Sequence, residues 1–276
     1  MDGAIEFIHT SIWEEIPHED NPFVAEQCFC AGYDVYGDLL GKANWIEYLY
    51  LLFKQERPSK QQSQLLEGLA IAIANPGPRD YSVRAAMSAG VGDSTHASRL
   101  MAALAVGAGQ LGGAREVYLA MELWKTYGCD LDAWQTALSS YKRPDMDDLE
   151  SVWPVVTHPP GFDPYGESCP LPVRQTLQYL CGYTKQGHLA WLAAQRLTLE
   201  ARVNMPLAMT GVMAAALMDL AFTSEQGEML VLLLRLPGAA VHGLEQARYG
   251  WRHYPFFSKG LILEDDVEES DRDLTK

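Results

Sequence analysis

GYDVYGDLLGKANWIEYLYLLFKQERPSKQQSQLLEGL, residues 32–69, sets the class of the fold. Its apolar residues Trp45, Leu49, Leu52 and Phe53 recur at spacings of three and four, which places them on one buried stripe of an α-helix rather than on alternate faces of a strand. Pro58 lacks the amide proton that a helix interior needs, so the helix stops before it. A second helix is predicted over residues 63–74. There Asn75-Pro76 and Gly77-Pro78 break the chain, because proline also disfavours helical backbone at the residue before it.

Working outward, the same period dominates. Small residues crowd RAAMSAGVGDSTHASRLMAALAVGAGQLGGA, residues 84–114, and predict a helix over 98–113 whose neighbours approach closely. Residues 142–172 are rich in proline and acid and read as the passage from one domain into another. Helices resume over 173–182 and 188–202, an alanine-rich helix over 207–222 is expected to be buried, and an apolar segment over 228–250 is expected to kink near Pro237 and Gly238. Few segments show the two-residue alternation of strands, so the expected class is all-α. No internal repeat and no glycine-rich phosphate loop interrupts the pattern.

Composition narrows the function. With 276 residues, 48% of them hydrophobic, the chain can bury a sizeable core. A formal charge of -15 argues against nucleic acid, which needs clustered Lys and Arg to release counterions, and against an acidic membrane surface. The strongest apolar run, residues 229–234, is far shorter than the ~20 residues of a membrane span. MDGAIEFIHT lacks a basic start followed by an apolar stretch, so no secretory signal is read there. Cys28, Cys30, Cys129, Cys169 and Cys181 form no CxxC pair and suit reduced thiols in a cytoplasmic setting. His18, His96 and His188 stand apart from any metal-ligand spacing, so no metal is expected. Residues 263–276 carry mostly acids and read as a solvated, disordered tail.

Six landmarks then appear in one order. GYDVYGDLLG precedes the first helix; AIANPGPRDYSVRAA follows the second; GAGQLGGAREVYLAM, PGFDPYGE and Asn204-Met205-Pro206 come next; and the segment from Arg235 through Gly238 and His242 to Glu245 closes the series. This series resembles the citrate synthase and citryl-CoA lyase superfamily from Trp13 to about Phe257. The resemblance implies an all-α fold with a large domain (1–145 and 226–262) and a small one (146–225) inserted between its parts. It also implies a ligand cleft between the two and a dimer formed through large-domain helices, with the small-residue helix suited to the contact.

Against that family several positions have changed. Where it has an Asp-His pair this chain has Asn75 and Pro76, and Leu111 stands where a histidine precedes Gly-Gly-Ala. Pro164 replaces the histidine of a Gly-Phe-Gly-His loop, and in Asn204-Met205-Pro206 the base that abstracts the substrate's α proton has become Pro206. A proline side chain has no donor and no titratable group, so the inherited proton transfers cannot run there. The loop after Pro164 offers only Arg174 for the phosphates of coenzyme A.

What the resemblance leaves is selective. It makes Arg235, Arg84, His242 and Arg252 the substrate-binding candidates, and Asp163 with His158, the acid and imidazole nearest the old site in sequence, the candidate catalytic pair. Read from the residues alone, Arg235 in an apolar segment must meet either an acid of the chain or an anionic ligand. Asp163 before a proline is also an ordinary turn former, and Cys169 is a thiol with no activating base in view. Two functions follow from the resemblance. One is a carbon-carbon bond forming or cleaving enzyme with a rebuilt acid-base set, acting on a polycarboxylate or an acyl-CoA, with a coenzyme A thioester as substrate. The other is a catalytically inactive relative that binds a carboxylate or serves as structural subunit beside a paralogous chain.

Overall fold

The computed structural model describes residues 9–142 and 158–255; the expected acidic tail lies outside them. The chain opens with an antiparallel sheet, β1 (Glu14–His18), β2 (Asn21–Cys30) and β3 (Tyr33–Asp34), in the order β1-β2-β3. Sequence periodicity does not announce this sheet, and the reason is physical. β1 is exposed throughout and β2 buries only Cys28 and Cys30, so neither strand carries an apolar face to alternate. The register slips on either side of Pro17, the residue that cannot donate to the ladder.

Ten α-helices follow among the described residues. Helix α1 (Trp45–Lys54) begins in a capping box: Asn44 Oδ1 accepts from Glu47 N at 2.9 Å and Glu47 Oε2 accepts from Asn44 N at 2.9 Å. Its buried residues are Leu49, Tyr50 and Leu51; Trp45, placed on the expected stripe, is 67% exposed because the helix buries its second half against α2 and Phe222. Helix α2 (Lys60–Ile73) opens on a second such box between Ser59 and Gln62, and the turn at 75–78 lies where its prolines predict. Asp80 caps α3 (Tyr81–Val91) by accepting from Ser82 N and Val83 N. Helix α4 (His96–Gly107) is shorter than the predicted 98–113. Residues 108–113 leave the helix at a turn in which Gly113 lies against the carbonyls of Gly107 and Gly109, an approach no Cβ could make.

Helices α5 (Ala114–Tyr127), α6 (Leu131–Leu138), α7 (Leu171–Cys181), α8 (His188–Val203), α9 (Met209–Asp219) and α10 (Ser224–Tyr249) complete the order. By length and composition α10 is apolar enough to cross a membrane, yet it lies against α3, α4 and α5 as a core helix. It continues through Pro237, and Gly238 N donates to Ala74 O at 2.8 Å, tying the helix beside the proline to a carbonyl at the end of α2. One apolar cluster joins α1, α2, α5, α6, α7, α8, α9 and α10, from Leu49 to Leu234. Inside it Trp124 meets Trp134 and Trp191 edge-on, with ring centres 4.9 and 5.5 Å apart.

Candidate functional site

Two loops and the first turn of α9 converge on the buried carboxylate of Glu116, in the first turn of α5. Oε2 accepts from Gly112 N at 2.5 Å; Oε1 accepts from Gly161 N at 2.9 Å and from Thr210 Oγ1 at 2.7 Å. Glu116 is only 2% exposed, and a carboxylate this deep is stable because three donors replace its water. His158 Nε2 stands 3.7 Å from Oε1, with both side chains shielded from solvent. The loop at 158–167 is also tied to the loop at 204–208: Asp163 N donates to Pro206 O and Ala208 N to Gly161 O, each at 2.9 Å.

Those bonds bring together the loops that carry Leu111, Asp163, Pro164, Asn204 and Pro206, but the groups at the junction are structural. Pro164 and Pro206 are buried, and Pro206 packs so tightly on Gly166 that a Cβ there would come within 2.7 Å of its ring. Asp163 closes a turn by accepting from Tyr165 N at 2.9 Å. Asn204 is exposed, in left-handed backbone after α8.

Arg235 lies on the other side of Gly112. Its Nη1 donates to Gly112 O at 2.9 Å, and its Nη2 is bound directly to Asp80 Oδ2. Arginine and aspartate side chains are 9% and 14% exposed, so this is a buried ion pair, and burial pulls the guanidinium pKa below its ordinary value. Asp80 thus caps α3 with Oδ1 and neutralises Arg235 with Oδ2. The space left between Arg235, Ser82, Gly107 and Leu232 is about 10 Å³, room for one water at most.

The remaining candidates disperse. His242 Nε2 faces Asn75 Oδ1 at 3.1 Å, joining α10 to the turn where the resemblance has its Asp-His pair. Arg84 is exposed on α3, and Arg252 is exposed with its guanidinium 5.6 Å from the Trp251 ring.

A cavity beside the junction measures about 380 Å³ and lies between the 166–170 loop, the ends of α7 and α8, and residues 204–206. Arg174 and Arg196 line it, with Glu200 between helix and loop: Arg196 Nη1 meets Glu200 Oε2 at 2.7 Å, while Glu200 Oε1 accepts from Leu207 N at 3.0 Å. Burial, and then the nearby Glu200 carboxylate, push the Cys169 thiol up, so at neutral pH it is a protonated wall residue rather than a nucleophile. Glu116, Asp80, Arg196 and Glu200 were not singled out in the sequence. The available signals were Asp80 at a helix cap position and Glu116 as an acid in the first turn after Gly112-Gly113.

This architecture has close spatial counterparts. The citryl-CoA lyase of Hydrogenobacter thermophilus superposes with a TM-score of 0.67 over 95% of this chain and 94% of its own, at 20% identity. The fold is that of citryl-CoA lyase. The same fold recurs in the ATP citrate lyase of Methanosaeta concilii in complex with (3S)-citryl-CoA, with a TM-score of 0.67 at 18% identity over 96% of this chain. It recurs again in that of Methanothrix soehngenii in complex with citrate and coenzyme A, with a TM-score of 0.68 at 17% identity over 97% of this chain. The chain spans 43% and 44% of those two longer proteins. No protein-family model matches the sequence, and no curated protein matches it either. At these identities the likeness is one of fold.

Proposed function

We propose that this chain uses the citryl-CoA lyase fold as a binding scaffold. It holds an anionic ligand, a small carboxylate or a coenzyme A thioester, in the cavity at Arg174, where Arg196 is already paired with Glu200, and it does not cleave a carbon-carbon bond. One observation carries this reading. The guanidinium that the resemblance assigns to a substrate carboxylate, Arg235, is already bound to Asp80 and Gly112 O, beside a space of about 10 Å³. Pro164 and Pro206 add support, since neither can move a proton. The ligand class follows from the two solved ATP citrate lyases, which hold citryl-CoA in one case and citrate with coenzyme A in the other.

Isothermal titration with coenzyme A, acetyl-CoA and citrate tests the proposal. At least one should bind, and Arg174→Ala should weaken it by about tenfold, the cost of one charge-assisted contact. Heat from none of the three sinks the reading. An enzyme with a rebuilt acid-base pair is the second reading, favoured by the 3.7 Å approach of His158 to Glu116. It requires turnover of a citrate-like thioester that His158→Gln abolishes. A homodimer, or a complex with a paralogous subunit, belongs to the scaffold reading and is checked by light scattering. A cytoplasmic setting fits five free thiols.

A further inference from the structure

Buried charge in this protein is matched with care, and one exception stands out. Glu116 has three donors and Arg235 has Asp80, but Arg99 on α4, 7% exposed, faces no carboxylate among the described residues. Its Nη1 reaches only His96 Nδ1, at 3.4 Å, and its Nε has no acceptor. An unpaired buried guanidinium is among the costliest features a fold can carry.

A second orphan lies at the same level. The buried stripe of α4 runs Arg99, Ala103, Gly107, and it faces α10. A Cβ at Gly107 would lie 3.2 Å from Ser82 Cβ on α3, and eight residues further along α3 a Cβ at Gly90 would meet Gly243 O and Ala247 N of α10. Helices α3 and α4 pack together as a hairpin, so Arg99, eight residues before Gly107, stands near the level of Gly90 and hence of Gln246, which is 5% exposed and whose Nε2 also lacks a partner. Two buried, incompletely partnered polar side chains therefore share one end of the α3, α4, α10 layer. That end is also the N-terminus of α4, where the helix dipole favours negative charge and His96 flanks the guanidinium. Asp93, in the turn just before α4, makes no ion pair with Arg99 or His96 among the described contacts.

We propose that Arg99, with Gln246 behind it and His96 beside it, binds an oxyanion group, a carboxylate or a phosphate, at a site separate from the Arg174 cavity. The test is thermal unfolding of the full chain in inorganic phosphate or in citrate, each titrated against chloride at constant ionic strength. One anion should give a saturable rise, reaching about 3 °C when it exceeds its Kd by about tenfold. Arg99→Met, which keeps the apolar stem, should abolish that rise, and Arg174→Ala should preserve it. A rise with phosphate alone assigns a phosphate group, and one with citrate alone a carboxylate. Should Arg99→Met fail to fold, Gln246→Leu should shift the saturation midpoint to at least about fivefold higher anion, the loss of one hydrogen bond. No rise with either anion overturns the proposal, as does an equal rise in both Arg99→Met and Gln246→Leu.

Discussion

Replacing Asp80 by Asn and Arg235 by Met, singly and together, measures the buried ion pair that occupies the Arg235 guanidinium. Asp80→Asn leaves a side-chain oxygen to cap Ser82 N and Val83 N and removes the charge opposite Arg235. Breaking one side of a buried pair costs about 3–5 kcal/mol, because the other charge is left in a medium that cannot solvate it. The amide can still accept from Arg235, which brings the expected loss for Asp80→Asn to the lower end, about 3 kcal/mol. Arg235→Met strands Asp80 at the N-terminus of α3, where two amides and the helix dipole partly compensate, so about 2–3 kcal/mol is expected. The double variant should be scarcely worse than Arg235→Met, a coupling of about 2–3 kcal/mol. Urea unfolding followed by circular dichroism reads all four corners, with a common m-value as the internal control. A coupling below about 0.5 kcal/mol would mean that the two side chains do not depend on each other, and the reasoning about Arg235 would be refuted.

Glu116→Gln should destabilise the protein by about 2–3 kcal/mol, since an amide group must then face one of three buried donors; a loss under about 0.5 kcal/mol in the same urea assay contradicts the staple role. Gly90→Ala should cost about 2–3 kcal/mol, because the new Cβ would press into Gly243 O, well inside van der Waals contact, and must push α3 off α10; an unchanged melting temperature contradicts that contact. The thiols of Cys169 and Cys181 are both raised, chiefly by burial. A raised folded value means that their contribution is complete below the unfolded thiol pKa of about 8.5 and is lost as pH climbs through the folded value. The melting temperature should therefore fall above about pH 9, and Cys169→Ala with Cys181→Ala should flatten the fall; an identical slope in the double variant contradicts it.

Helices were legible in the sequence because their signals are local. The three-and-four spacing of Trp45, Leu49, Leu52 and Phe53, Pro58, and the two X-Pro pairs after Ala74 all act within four residues. The hairpin was not, since strands exposed on both faces leave no period, and Trp45 was misplaced because its stripe extends past the end of the covering core. Order and spacing of six landmarks pointed to the fold. The site was less accessible for a different reason. Arg235 meets Asp80 across 155 residues and Gly112 across 123, while Glu116 meets Thr210 across 94, and no periodicity couples such distant positions. Sequence reasoning left two partners open for Arg235, an acid of the chain or a ligand, and tertiary packing supplies Asp80.

The most direct measurement is incubation of the purified protein with (3S)-citryl-CoA, with the thioesters separated by chromatography over time. The scaffold reading predicts that citryl-CoA disappears no faster than in buffer, whether or not it binds. Acetyl-CoA accumulating in proportion to protein, and lost in His158→Gln, would contradict it.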